Sequence, residues 1–247
     1  MGETRRSRML LGLATGLSLL LLPVAGTSTA AAEGASLFVT NPSQPPNVGD
    51  AMLTAADYHE SGSYGRDLAF VAEQATNWIA ERAAMVSRPA IVLDIDETAL
   101  SNWEVIKRDN FGRPISGPCD VALDGPCGWA AWDQLGRDPA IVPTLRVFEK
   151  ARSLNVAVFF ITGRPEDQRA ATERNLAEAG FGGYEKLYTV PNGARFGSAT
   201  DFKAPVRAEI EKAGFTIIAN VGDQPSDLFG GHAERMFLLP NPFYRVR

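Results

Sequence analysis

Histidine and cysteine are both scarce in this 247-residue chain, with two of each. Two cysteines cannot build a Cys-rich zinc module or a scaffold held by many disulfides. Two histidines cannot supply a multi-histidine metal centre within one chain, and no Arg-His-Gly motif is present to support phosphoryl transfer through histidine. Positive charge is not in excess: 24 basic residues face 29 acidic ones, for a formal net charge of -5. That balance argues against a nucleic-acid polymer as partner, because such binding rests on neutralising phosphates. With 45% hydrophobic and 21% charged residues, the chain is neither wholly disordered nor collagen-like nor a coiled coil. It has the material for one sizeable core.

Long apolar runs are also missing, except at the start. Arg5, Arg6 and Arg8 precede an apolar stretch from Met9 to Leu22, and a small-residue tract from Ala25 to Ala32 contains Ala30-x-Ala32 spacing. This layout is that of a cleavable secretory signal covering 1–32. The apolar run falls short of the ~20 residues a membrane span needs, and no cysteine lies near the cut to carry a lipid. Thr4-Arg5-Arg6 leaves the general and twin-arginine export routes both open. The expectation is an acidic protein beginning near Glu33, secreted to the periplasm or the exterior and free of the membrane. In an oxidising compartment Cys119 and Cys127, eight positions apart in a turn-rich loop, are expected to form a local disulfide; two free thiols are the alternative.

Residues 33–50 read as an extended lead-in, rich in Gly, Ser, Pro and Asn. Helical spacing of Leu68, Val71, Ala72, Ala75, Trp78 and Ile79 follows, with Ser61-Gly62-Ser63 dividing 51–85 into two helices. After Pro89 the pattern changes to short apolar, β-branched runs at 90–95, 155–161, 186–190, 215–221 and 235–239. Helical patterns at 143–154, 165–179 and 202–213 separate most of them. Strands alternating with helices predict an α/β domain over 51–247, with a five-stranded, mainly parallel sheet and helices on both faces. Ligands of such sheets bind at the carboxyl ends of the strands. The stretch 102–142 has no clear period and is too long for an ordinary connection, so it reads as an insertion over those ends.

Chemistry-bearing residues gather there. The first strand ends in Asp94-Ile95-Asp96-Glu97-Thr98, the second in Thr162-Gly163-Arg164, and the fourth in Gly222-Asp223 with Asp227 just beyond; Lys203 opens the preceding helix. Asp94 and Asp96, two positions apart, can face one crevice. A carboxylate can attack phosphorus to give an aspartyl-phosphate. Repulsion between the anions then calls for a hard cation held by oxygens, which suits Mg²⁺. Asp96 can serve as acid and then base, while Lys203, Thr162 and the backbone near Gly163 can hold phosphoryl oxygens. Taken singly, Asp223 and Asp227 would suit a turn and helix cap equally well; the order and strand-end placement of the whole set favour a site.

These residues resemble the haloacid dehalogenase superfamily, and within it the acid phosphatase branch of class B/III secreted enzymes and plant vegetative storage proteins. The likeness is carried by IVLDIDETALSN from Ile91, FFITGR from Phe159, DFKAPVRAEIEKAGF around Lys203 and NVGDQPSDLFGG from Asn220. The tail Phe237 to Tyr244 and the segment Tyr58 to Tyr64 add to it, so it spans roughly 50–245. The resemblance implies a Rossmann-like core with a small cap at about 102–142. It implies Asp94 as nucleophile, Asp96 as acid/base, and Mg²⁺ held by Asp94, Asp223 and the Asp96 carbonyl, with Asp227 supporting. Phosphoryl orientation would fall to Thr162, Gly163 and Lys203, with Thr98 and Arg164 secondary. Phe202 and Ala204 beside the Lys, Val142-Pro143-Thr144, and the cysteine loop depart from the family pattern, which makes cap shape the least transferable feature. The expected substrate is a small-molecule phosphomonoester. Trp103, Phe111, Trp129 and Trp132 in the cap can either stack on a nucleobase, making it a nucleotidase, or pack the cap onto the core. A storage or binding protein on the same fold is the alternative to an enzyme. Oligomeric state is left open.

Overall fold

The computed structural model describes residues 43–123 and 125–246. The signal expected at 1–32 and most of the lead-in lie outside them. All elements belong to one compact unit, Pro45–Arg247. Helix α1 (Val48–Glu60) starts three residues earlier than the sequence pattern suggests, because the Asn47 side chain accepts from the N–H of Gly49 and caps it. Gly62, at φ 77°, makes the break to α2 (Ser63–Arg82); left-handed backbone of this kind suits glycine.

Five strands follow: β1 (Pro89–Leu93), β2 (Ala157–Pro165), β3 (Lys186–Val190), β4 (Thr216–Gly222) and β5 (Met236–Leu238). Their order is β3-β2-β1-β4-β5, and every pairing is parallel. The central strands are buried on both faces by simple alternation. Ile91 and Leu93 of β1 join Val158 and Phe160 of β2 on the side of α2 and α5 (Val142–Ser153); Ala90, Val92, Phe159 and Ile161 meet Val206 and Ile210 of α7 (Ala199–Lys212) on the other. That period-2 burial explains why these strands read as continuous apolar runs. The Trp78 indole of α2 donates to the carbonyl of Ile218 at 2.7 Å, tying helix to sheet. None of the described helices is long and apolar enough to cross a membrane.

The segment 102–142 holds two short helices, α3 (Trp103–Arg108) and α4 (Trp129–Leu135). Between them the Cys119 and Cys127 sulfurs lie at bonding distance, with Cα atoms 4.2 Å apart. Helices α6 (Arg169–Glu178) and α8 (Pro225–Leu228) complete the fold.

Candidate active site

Asp94 is the first residue beyond β1, and its N–H still donates to Val221 of β4. The ladder therefore fixes where its side chain projects, and the carboxylate lines a cleft of about 290 Å³. Lys203, one turn into α7, reaches the same point: its Nζ lies 2.5 Å from Asp94 Oδ1 and 2.8 Å from Asp227 Oδ1. Asp94, Asp223 and Asp227 each offer an oxygen within 4.8 Å of the others. Asp223 is held from three sides, by the Thr98 hydroxyl at 3.1 Å, Gln224 Nε2 at 2.6 Å and Asn241 Nδ2 at 2.7 Å. Asp227 also accepts from the Gln224 N–H at 2.9 Å.

Electrostatics separates the two carboxylates of the first motif. Burial pushes the Asp94 pKa well up; Lys203 opposes this, but Asp227, Asp223 and Asp96 push it further. Burial works the same way on Asp96, yet Arg164 and Asn102 outweigh it and hold Asp96 below the usual range. The Arg164 guanidinium lies 2.7 Å from Asp96 Oδ1, and Asn102 Nδ2 donates to the same oxygen at 3.0 Å. Asp223 is raised to about 7, first by burial and then by Asp227. Lys203 loses by burial but gains more from Asp227 and Asp94, so its proton is held firmly. Buried carboxylates this close repel unless protonated or bridged by a cation. Their all-oxygen donor set fits a hard divalent ion such as Mg²⁺.

A family model for the HAD superfamily, subfamily IIIB (acid phosphatase) matches residues 40–247. The chain belongs to this family. Membership places it among the phosphoric monoester hydrolases. It is 32% identical over 194 residues to the stem 28 kDa glycoprotein of Glycine max, covering 77% of this chain and 73% of that protein. It is 34% identical over 160 residues to acid phosphatase 1 of Solanum lycopersicum, covering 64% of this chain and 60% of the relative. The fold is similar to the class C acid phosphatase from Bacillus anthracis, with a TM-score of 0.61, 20% identity, and coverage of 79% of this chain and 85% of that structure.

Most of the residues expected from sequence come together, with four departures. Thr98 does not line the cleft: it is fully buried, and its hydroxyl is directed to Asp223. Arg164 does line it, but is enclosed by Asp96, Asp138 and Asp133, at 2.7, 3.2 and 3.4 Å, so its charge is already compensated. Asp96 turns its side chain to Arg164 and stays outside the carboxylate cluster. Thr162 is fully buried and accepts from the Arg164 N–H at 3.1 Å; Gly163 is the member of that pair on the cleft wall.

The aromatic residues divide. Trp103 stacks on His59 at 3.7 Å with its plane 8° off parallel, and Trp103 and Phe111 both pack near Phe243. Trp132 is buried, with its indole donating to Asp138 at 2.7 Å. Among these four, Trp129 alone lines the cleft. Sequence reasoning misses Asn102, Asp133, Asp138, Gln224, Asn241 and Tyr244. Asn241 and Tyr244 lie in the tail that resembles the family's end, and Tyr244 donates to buried Glu97 at 2.5 Å. Asp133 and Asp138 sit in the stretch without periodicity, where no sequence signal marks them.

Proposed function

We propose that this acid phosphatase hydrolyses small-molecule phosphomonoesters through an aspartyl-phosphate on Asp94, with Mg²⁺ as its resident cation. The observation that carries the reading is the buried Asp94 carboxylate on the cleft wall, 2.5 Å from Lys203 and grouped with Asp223 and Asp227. Asp94, Asp223 and the Asp96 carbonyl would hold Mg²⁺, with Asp227 orienting Lys203. When bound, the ion supplies positive charge between an anionic phosphate and the carboxylates.

The side chains divide the remaining work. An Asp94 oxygen attacks phosphorus as the bond to the alcohol oxygen breaks, and Lys203 and the Gly163 backbone orient the phosphoryl oxygens. Protonated Asp96 gives its proton to the departing oxygen; as a carboxylate it then takes one from the water that attacks the acyl-phosphate, releasing Asp94. The Arg164 pairing favours the second half, because it stabilises the Asp96 carboxylate; in the first half it makes protonated Asp96 a stronger acid but a less populated one. Thr98, Gln224 and Asn241 orient Asp223. Export through the N-terminal segment and an oxidised Cys119–Cys127 pair are part of the same reading.

Hydrolysis of phenyl phosphate by the chain from Glu33 onward, with Mg²⁺ and then with EDTA, tests it. Activity is expected to vanish with EDTA and return with Mg²⁺, and Asp94→Asn is expected to lower kcat by about 10⁴-fold or more. Activity surviving in Asp94→Asn would remove Asp94 as nucleophile. No turnover by folded, Mg²⁺-supplied protein would point instead to binding or storage.

A further inference from the structure

Three cations line the cleft, and two are already neutralised. Lys203 is shared by Asp94 and Asp227, and Arg164 by Asp96, Asp133 and Asp138. The third, Arg113, also lines it and makes no hydrogen bond or ion pair among the described residues, although it is near enough to Asp96 and Asp133 to favour their charged forms. Its guanidinium lies instead 4.7 Å from the centroid of the Trp129 ring and 5.1 Å from that of Tyr244. Those two rings meet edge to face, with centroids 5.2 Å apart. A guanidinium held against aromatic rings keeps its N–H donors available to a carboxylate or phosphate. Trp129 itself is buried, and its indole N–H has no acceptor among the described residues.

Arg113 is also well anchored. Trp129 and Ala130 donate their backbone N–H groups to Pro114 and Ile115 at 2.8 and 3.1 Å, and Gly128 donates to Pro118 at 3.1 Å. A Cβ at Gly128 would lie 2.3 Å from the Gly117 carbonyl oxygen, so the two strands of this loop can approach only at glycine. A charge mounted on such a clamp is pre-organised and loses little freedom on binding.

We infer that Arg113, on its Trp129–Tyr244 platform, is a specificity subsite for a second anion on the leaving group. The preferred substrates are then small phosphomonoesters whose alcohol part carries a carboxylate or another phosphate. A nucleobase has less claim on Trp129, since Arg113 already lies against that ring. The cleft volume of about 290 Å³, at the small end of ligand pockets, also suits a compact leaving group. The inference rests on the proposed phosphatase reading for where the first phosphate sits, and its test does not depend on turnover.

The test is calorimetric binding of non-hydrolysable probes to Mg²⁺-supplied protein: phenylphosphonate, 4-carboxyphenylphosphonate and benzene-1,4-bisphosphonate. The wild type is expected to bind one or both doubly anionic probes about tenfold more tightly than phenylphosphonate, as a charge-assisted contact allows. Arg113→Gln is expected to reduce that preference below about twofold and Arg113→Lys to keep part of it. Added salt should weaken the wild-type preference. Which probe gains more separates carboxylate from phosphate. A wild type without preference, or an Arg113→Gln protein that keeps it, overturns the subsite. Failure of phenyl phosphate turnover alone would overturn the phosphatase reading and leave these affinity ratios interpretable.

Discussion

At the carboxyl edge of the sheet, Lys203 meets Asp94 and Asp227 at 2.5 and 2.8 Å, all three buried. Across the cleft, in the segment 102–142, exposed Arg113 lies against aromatic rings and makes no ion pair among the described residues, although Asp96 and Asp133 both feel its charge. The edge is set by strand register: Asp94 continues a ladder that runs through Leu93 opposite Val221. The segment has two short helices and is held by local clamps, namely three backbone hydrogen bonds, the cysteine pair and the packing of Trp103 and Trp132. Buried charge is stable only when its partners stay in place, so the edge has little room to vary. A solvent-facing cation carries no such constraint, which leaves the segment free to select among leaving groups.

The largest expected effect breaks the edge. Lys203→Met keeps much of the bulk but leaves buried carboxylates without their cation. It is expected to lower stability by about 3–5 kcal/mol in urea unfolding with chelator at neutral pH. The loss should shrink in acid, where those carboxylates protonate; an unchanged midpoint would contradict the pairing. A smaller effect tests the clamp. Replacing both Cys119 and Cys127 by Ser is expected to cost about 2–3 kcal/mol, read by thermal unfolding. If the segment governs selection, this variant should also reduce the preference for doubly anionic phosphonates more than it reduces phenyl phosphate turnover.

The smallest expected effect falls where the two regions meet. Asp133 of α4 faces Arg164 from the sheet edge, Arg113 from its own segment, and the carboxylates Asp96 and Asp138. Burial, with help from Asp96 and Asp138 and against Arg164, raises its pKa from 3.8 to about 7. Between those values the folded protein holds a proton that the unfolded chain releases, so Asp133 makes stability fall as pH rises from about 4 to 7. Asparagine has no proton to lose. The stability of Asp133→Asn relative to wild type is therefore expected to improve across that window, by about 1 kcal/mol or more. A flat difference would show that Asp133 titrates normally.

Much of the edge is legible in the amino-acid sequence, because its residues follow directly on strands whose apolar runs are easily read. Asp94, Asp223, Asp227 and Lys203 fall together on that basis, and the folded chain groups them. Thr98 reads as a phosphate ligand in the sequence, yet its buried hydroxyl is directed to Asp223, because sequence gives proximity to a strand end but not side-chain direction. Asn241 and Tyr244 follow the last strand, but their bonds to Asp223 and Glu97 depend on how the tail folds back. The cap aromatics cannot be sorted from sequence at all: His59, which is 44 residues from Trp103 in the chain, is what occupies that ring.

Sequence alone determined the parallel α/β architecture, the family and the order of the reactive residues, because periodicity and motif spacing are local properties of the chain. Only the tertiary structure decided which charges are neutralised and which stay free. Whether Arg164 is ion-paired and Arg113 is not depends on which distant carboxylates are packed within a few ångströms, and burial turns those few ångströms into large differences in charge energetics.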